Sequence, residues 1–150
     1  MRRILTFIIT LSAILLGAGA RANDTIQLAQ AFLARYIETY HAFDPAVADL
    51  YSDDALVQNT RTYPTGEVRK LAIPAPQYKA LLRQTITLAK QRGDRSQYTE
   101  PRFTQEGNGV RIQLTRYSEL KKYTSPMVLV VAPAKTGQWL VVEEHTESIP

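Results

Sequence analysis

Cysteine is absent from this 150-residue chain, which excludes disulfides, thiol catalysis and thiolate metal sites. Histidine occurs only twice, at His41 and His145, and no ligand spacing connects the two, so no metal site is expected. The seven glycines form neither a phosphate loop nor a dinucleotide fingerprint, and no nucleophile motif is present. No cofactor is therefore expected. Basic residues gather nowhere beyond doublets such as Lys121-Lys122, which argues against nucleic-acid recognition. The longest apolar run, Ile4 to Leu16, would span only about 20 Å as a helix, against about 30 Å for a bilayer core.

That run has a different meaning in its context. Arg2 and Arg3 precede it, and the small residues Gly17-Ala18-Gly19-Ala20-Arg21-Ala22 follow it. A basic start, a short apolar centre and an A-x-A end match a cleavable secretory signal in all three parts. The expected product begins at Asn23, is periplasmic or secreted, and keeps no stable membrane anchor. Loss of Arg2, Arg3 and Arg21 reduces the excess of 18 basic over 14 acidic residues from +4 to a single charge. Residues 23–150 then match the common size of one domain, about 100–150 residues. With no disulfide to staple it, that domain must be held by hydrophobic packing.

Within it, Asp24-Thr25-Ile26-Gln27 has the form of a capping box. Ile26, Ala29, Leu33, Ile37 and Tyr40 then recur at helical spacing, predicting a helix from Thr25 to His41. Asp44-Pro45 starts a second, short helix that Ser52-Asp53-Asp54 ends. A short strand from Ala55 to Thr60 leads into an irregular hairpin around Tyr63-Pro64-Thr65-Gly66. A third helix runs from Pro76 to Arg92 and stops at Gly93. Two hairpins follow, turning at Gly107-Asn108-Gly109 and at Pro133 to Gly137. Val110, Ile112 and Leu114 alternate with Arg111, Gln113 and Thr115, so one sheet face is buried. The fold class is α+β: a cone-shaped, curved antiparallel sheet with three helices packed on one face.

Two segments carry a family resemblance. Ala34-Arg35-Tyr36 through Phe43-Asp44 to Leu50-Tyr51-Ser52-Asp53-Asp54-Ala55-Leu56-Val57, and Gly137-Gln138-Trp139 through His145, are similar to the opening and closing elements of the nuclear transport factor 2-like (cystatin-like) superfamily. That superfamily includes ketosteroid isomerase and the SnoaL-like cyclases. The resemblance implies a cone opening into a pocket between sheet and helices, and a homodimer formed through the outer sheet face. It also implies that Tyr36 sits where the isomerase has its oxyanion tyrosine. Asn59 falls where that enzyme has its proton-abstracting aspartate, and an amide cannot take up a proton. Pro126-Met127-Val128 supplies no second acid. An isomerase is not expected.

Alternation along the last strand puts Trp139, Val141, Glu143 and His145 on one face, with Leu140, Val142 and Glu144 as the alternative set. A carboxylate beside a histidine makes an acid–base pair, so His145 and Glu143 are the catalytic candidates if there is catalysis. Tyr36, Asn59, Glu143 and His145 are the expected polar contacts for a small, mainly apolar ligand. The competing expectation is an interaction module that docks a partner through its sheet face. A solvent-connected cone favours the ligand; a cone packed with aromatic side chains favours the partner.

Overall fold

The computed structural model describes the backbone of residues 14–149 and the side chains of residues 23–149. Most of the signal-like segment lies outside the described residues. The first helix, α1, spans Ile14–His41. It therefore starts earlier than Thr25, and the capping box at Asp24 lies inside a continuous helix. Residues 14–24 contain no proline, and nothing in their composition forces a break. From Ala29 onward α1 buries Ala29, Phe32, Leu33 and Tyr36, a stripe at three- and four-residue spacing.

A 3-10 helix follows at Pro45–Leu50, where the Asp44 side chain accepts a hydrogen bond from the Ala46 N–H. Strand β1 then runs from Tyr51 to Thr62. Ser52-Asp53-Asp54 does not terminate a helix as its polarity suggested. It forms an irregular start to β1, where the pairing with the last strand shifts between Tyr51 and Leu56. Strand β2 (Val68–Pro74) returns antiparallel to β1 and leads directly into helix α2 (Ala75–Arg92). Gly93 ends α2 at φ +62°, a left-handed conformation that favours glycine.

Strands β3 (Ser96–Glu106), β4 (Gly109–Ser118), β5 (Tyr123–Pro133) and β6 (Trp139–Ser148) complete the order. The six strands form one sheet in the order β2-β1-β6-β5-β4-β3. The expected all-antiparallel pattern has one departure: β1 and β6 pair in parallel. They are the first and last strands of the chain and meet in the middle of the sheet. No hairpin joins them, so nothing requires them to be antiparallel.

Both helices and the 3-10 turn contribute to the same core as the inner sheet face. α1 packs toward β3 and β4, while α2 packs toward β1, β2 and the 3-10 helix. Val110, Ile112 and Leu114 of β4 meet Leu129 and Val131 of β5 and Val141 of β6 in this core. Because the helices sit over opposite flanks of the sheet, a space remains between them and the sheet ends.

Candidate functional site

One irregularity decides which side chains face that space. Val131 pairs with Val141, but Val130 pairs with Glu143, so Val142 is an extra residue in β6. This is a β-bulge, and it reverses the alternation beyond it. Val141 faces the core before the bulge; Glu144, Thr146 and Ser148 face inward after it. Glu143 and His145 are turned to the other face, where Glu143 contacts His145 and lies 4.0 Å from Arg111.

The space is a cavity of about 520 Å³. Its wall includes Tyr36 and Tyr40 of α1, Val57 and Asn59 of β1, Ile73 of β2, and Tyr78, Leu82 and Ile86 of α2. Across the sheet it is completed by Tyr98, Arg116, Tyr123 and Met127, with Glu144, Thr146 and Ser148 from β6. Of the four expected polar contacts, Tyr36 and Asn59 line the cavity. Glu143 and His145 do not, because the bulge turns them away. The cavity is open to solvent, and the rings of Tyr36, Tyr40, Tyr51 and Tyr78 pack together around its inner end.

Glu144 is the chemical centre of this wall. It is only 2% exposed and is surrounded by tyrosine hydroxyls. Tyr51 donates a hydrogen bond to Oε2, Tyr78 donates to Oε1 at 2.9 Å, and Tyr36 lies 3.5 Å from Oε2. The Tyr36 and Tyr51 hydroxyls are also 3.0 Å apart, and Tyr40 reaches Tyr51 at 3.5 Å. Burial raises the Glu144 pKa, because it strips water from the charged form. The hydrogen bonds from Tyr51 and Tyr78 and the positive charge of Arg116 oppose that rise without cancelling it. Tyr40 is pushed up to about 12, first by burial and then by the Glu144 charge. Tyr36, Tyr51 and Tyr78 are also raised by burial, so these phenols remain protonated donors.

Such a carboxyl, inside a cavity and ringed by donors, can hold a proton at a pH where an exposed glutamate has lost it. It can therefore donate a hydrogen bond to a ligand oxygen or exchange a proton with a ligand. The signal for Glu144 was present in the alternative strand face, but alternation alone favoured neither set. Asn59 has a different character. Its amide donates to the Thr146 hydroxyl at 2.9 Å and accepts from the Ser148 hydroxyl at 3.0 Å and Arg61 at 3.4 Å. The contacts with Thr146 and Ser148 bind β1 to β6, which assigns the amide to holding the wall together. Of the other tyrosines, Tyr123 lines the cavity, whereas Tyr63 sits under Arg69 in the β1–β2 turn. His41, at the end of α1, makes a 2.8 Å hydrogen bond through Nε2 to the Ser96 carbonyl.

No family model matches the sequence. No curated protein matches it either. The shape is more informative. An NTF2-like protein with a cystatin-like fold from Novosphingobium aromaticivorans superposes with a TM-score of 0.60 at 16% identity, covering 92% of this chain and 91% of its own. The fold is nuclear transport factor 2-like. An NTF2-like protein of unknown function from Shewanella oneidensis MR-1 gives a TM-score of 0.59 at 15% identity, over 85% of this chain and 99% of that one. A Catenulispora acidiphila protein solved in complex with S-DNPA gives 0.52 at 14%, over 85% and 93%. In the nuclear transport factor 2-like cone described above, Glu144 occupies the inner end and the C-terminal ends of both helices line the mouth.

Proposed function

We propose that this protein, released from its first 22 residues on export, binds a small molecule with an apolar body in the periplasm or outside the cell. The observation that carries this reading is the open cavity of about 520 Å³ with Glu144 held at its inner end by tyrosine hydroxyls. Its size lies within the usual range for small-molecule pockets, about 300–1,000 Å³. Val57, Leu82, Ile86 and Met127 supply apolar wall, and Glu144 and Tyr78 supply fixed polar contacts. The Catenulispora acidiphila neighbour, solved in complex with S-DNPA, is a precedent for ligand binding by this fold.

Mass spectrometry of protein expressed with its leader in a bacterial periplasm tests the reading. The denatured mass is expected to begin at Asn23. The native mass is expected to exceed it by a small molecule that is lost on denaturation and is depleted in Glu144→Gln and Tyr78→Phe. A denatured mass that still includes residue 1 refutes export with cleavage. A ligand retained equally by both variants removes Glu144 from the binding site.

A further inference from the structure

The cavity wall is chemically lopsided. Five cationic side chains line it, Arg61, Arg92, Arg95, Arg116 and Lys121, against two carboxylates, Asp94 and Glu144. Among the described residues, the ion pairs of arginine and lysine lie elsewhere, at Arg69, Lys79, Arg83 and Arg111. None of the five cavity cations has a side-chain carboxylate of the described residues within salt-bridge distance.

Arg116 is the most constrained of them. It extends from the same face of β4 as the buried Val110, Ile112 and Leu114, so the backbone aims a guanidinium inward where the pattern would otherwise place an apolar residue. One of its terminal nitrogens donates to the Tyr123 hydroxyl at 3.3 Å and to the Glu147 carbonyl at 3.2 Å. Both acceptors are neutral, so the arginine is oriented without being neutralised. A guanidinium has five N–H donors, and these two bonds leave others for a ligand. The opposite flank is apolar: Ile73 of β2 and the exposed Leu81 and Leu88 of α2, each 43% exposed, border the same cavity.

Resting on the ligand-binding reading above, we propose that the cavity takes an amphipathic carboxylate whose head group is anchored by Arg116. Its apolar body lies against the α2 side, with the head toward the mouth. A carboxylate at the inner end would face the Glu144 carboxyl, whereas at Arg116 it meets a planar fork that accepts it in two parallel hydrogen bonds. A phosphate dianion fits less well. Both α1 and α2 finish at the mouth, with His41 and Arg92 in the lining. Helix C-termini offer no N–H cradle of the kind that holds phosphate.

Titration calorimetry of the purified protein with octanoate, octanamide, octylammonium and octyl phosphate tests this. Octanoate is expected to bind at least about tenfold more tightly than octanamide, the size of effect a charge-assisted pair produces, with octylammonium weakest. Octanoate affinity is expected to fall with added salt. Arg116→Gln should weaken octanoate about tenfold and leave octanamide unchanged, with Arg116→Lys between wild type and Gln. The ranking of the four probes on wild-type protein needs no variant, so poor folding of Arg116→Gln cannot obscure it. Equal binding of octanoate and octanamide overturns the anion assignment while leaving the cavity reading intact. Tighter binding of octyl phosphate than octanoate overturns the carboxylate assignment. If none of the four binds, both readings fall.

Discussion

Glu144→Gln offers the most direct test of the buried carboxyl, because its effect has a defined dependence on pH. In the unfolded chain the carboxyl titrates near its ordinary value of 4.5; in the folded protein burial raises it. Between those two values the native state holds a proton that the unfolded state has released. Stability therefore falls as pH rises through this window, and levels off above the folded value. Below 4.5 the contribution is fully present, since both states are protonated. Each unit by which the native pKa exceeds the unfolded one corresponds to about 1.4 kcal/mol of lost stability at high pH. For a domain of this size, 1 kcal/mol shifts the midpoint by roughly 3–6 °C. Glutamine keeps one carbonyl oxygen, which replaces the acceptor of either Tyr51 or Tyr78 and sets an NH2 against the other hydroxyl, a cost that does not vary with pH. It has no proton to lose, so its curve lacks the pH-dependent component. Urea and thermal unfolding of both proteins at intervals from about pH 4 to about pH 8 measure the difference. The expected result is that Glu144→Gln gains on wild type as pH rises through the window above 4.5 and that the gain then levels off. A difference that stays constant with pH, or runs in favour of wild type at high pH, would refute the buried-carboxyl argument.

Tyr78→Phe removes the 2.9 Å donor to Glu144 Oε1, so it should raise the Glu144 pKa further and steepen the same loss of stability with pH. His145→Ala, on the outer sheet face, should leave the ligand mass seen by native spectrometry unchanged. Gly109→Ala should cost about 2 kcal/mol in urea unfolding, because its new Cβ would collide with the Val131 carbonyl oxygen and crowd Ala132. Gly93→Ala meets no neighbour and should cost only about 1 kcal/mol, the penalty of placing a side chain at φ +62°.

Features written in short-range periodicity were legible in the sequence. Ala29 and Leu33 of the α1 stripe, with Ile26, Ile37 and Tyr40 packed beside them, the glycine stop at Gly93 and the alternation of Val110, Ile112 and Leu114 all appear where the spacing put them. Element order and the resemblance to the nuclear transport factor 2-like fold followed from these. Less visible were features that depend on a partner strand. Ser52-Asp53-Asp54 is polar and reads as a turn, but β1 can begin there because β6 accepts a shifted register opposite it. The site suffered most from the same blindness. Strict alternation carried Trp139 and Val141 forward to Glu143 and His145, and no residue at Val142 announces the bulge: it is a β-branched residue ordinary in any strand. Arg116 was passed over for a related reason. Its inward face is clear from Val110, Ile112 and Leu114, but only the structure shows that this face opens into a cavity before the strand ends.

The extra residue at Val142 also acts as a selector of chemistry. On one side of the sheet it presents Glu144, Thr146 and Ser148 to the cavity; on the other it leaves Glu143 and His145 to solvent and Arg111. Were Val142 to pair regularly instead of bulging, so that the strand beyond it slipped by one residue against β1 and β5, the two sets would exchange. The cavity would lose a carboxyl bedded in phenols and gain a glutamate with an imidazole. A chain of this architecture thus carries two alternative interiors in one strand, and the choice between them is a one-residue slip of register rather than a series of substitutions.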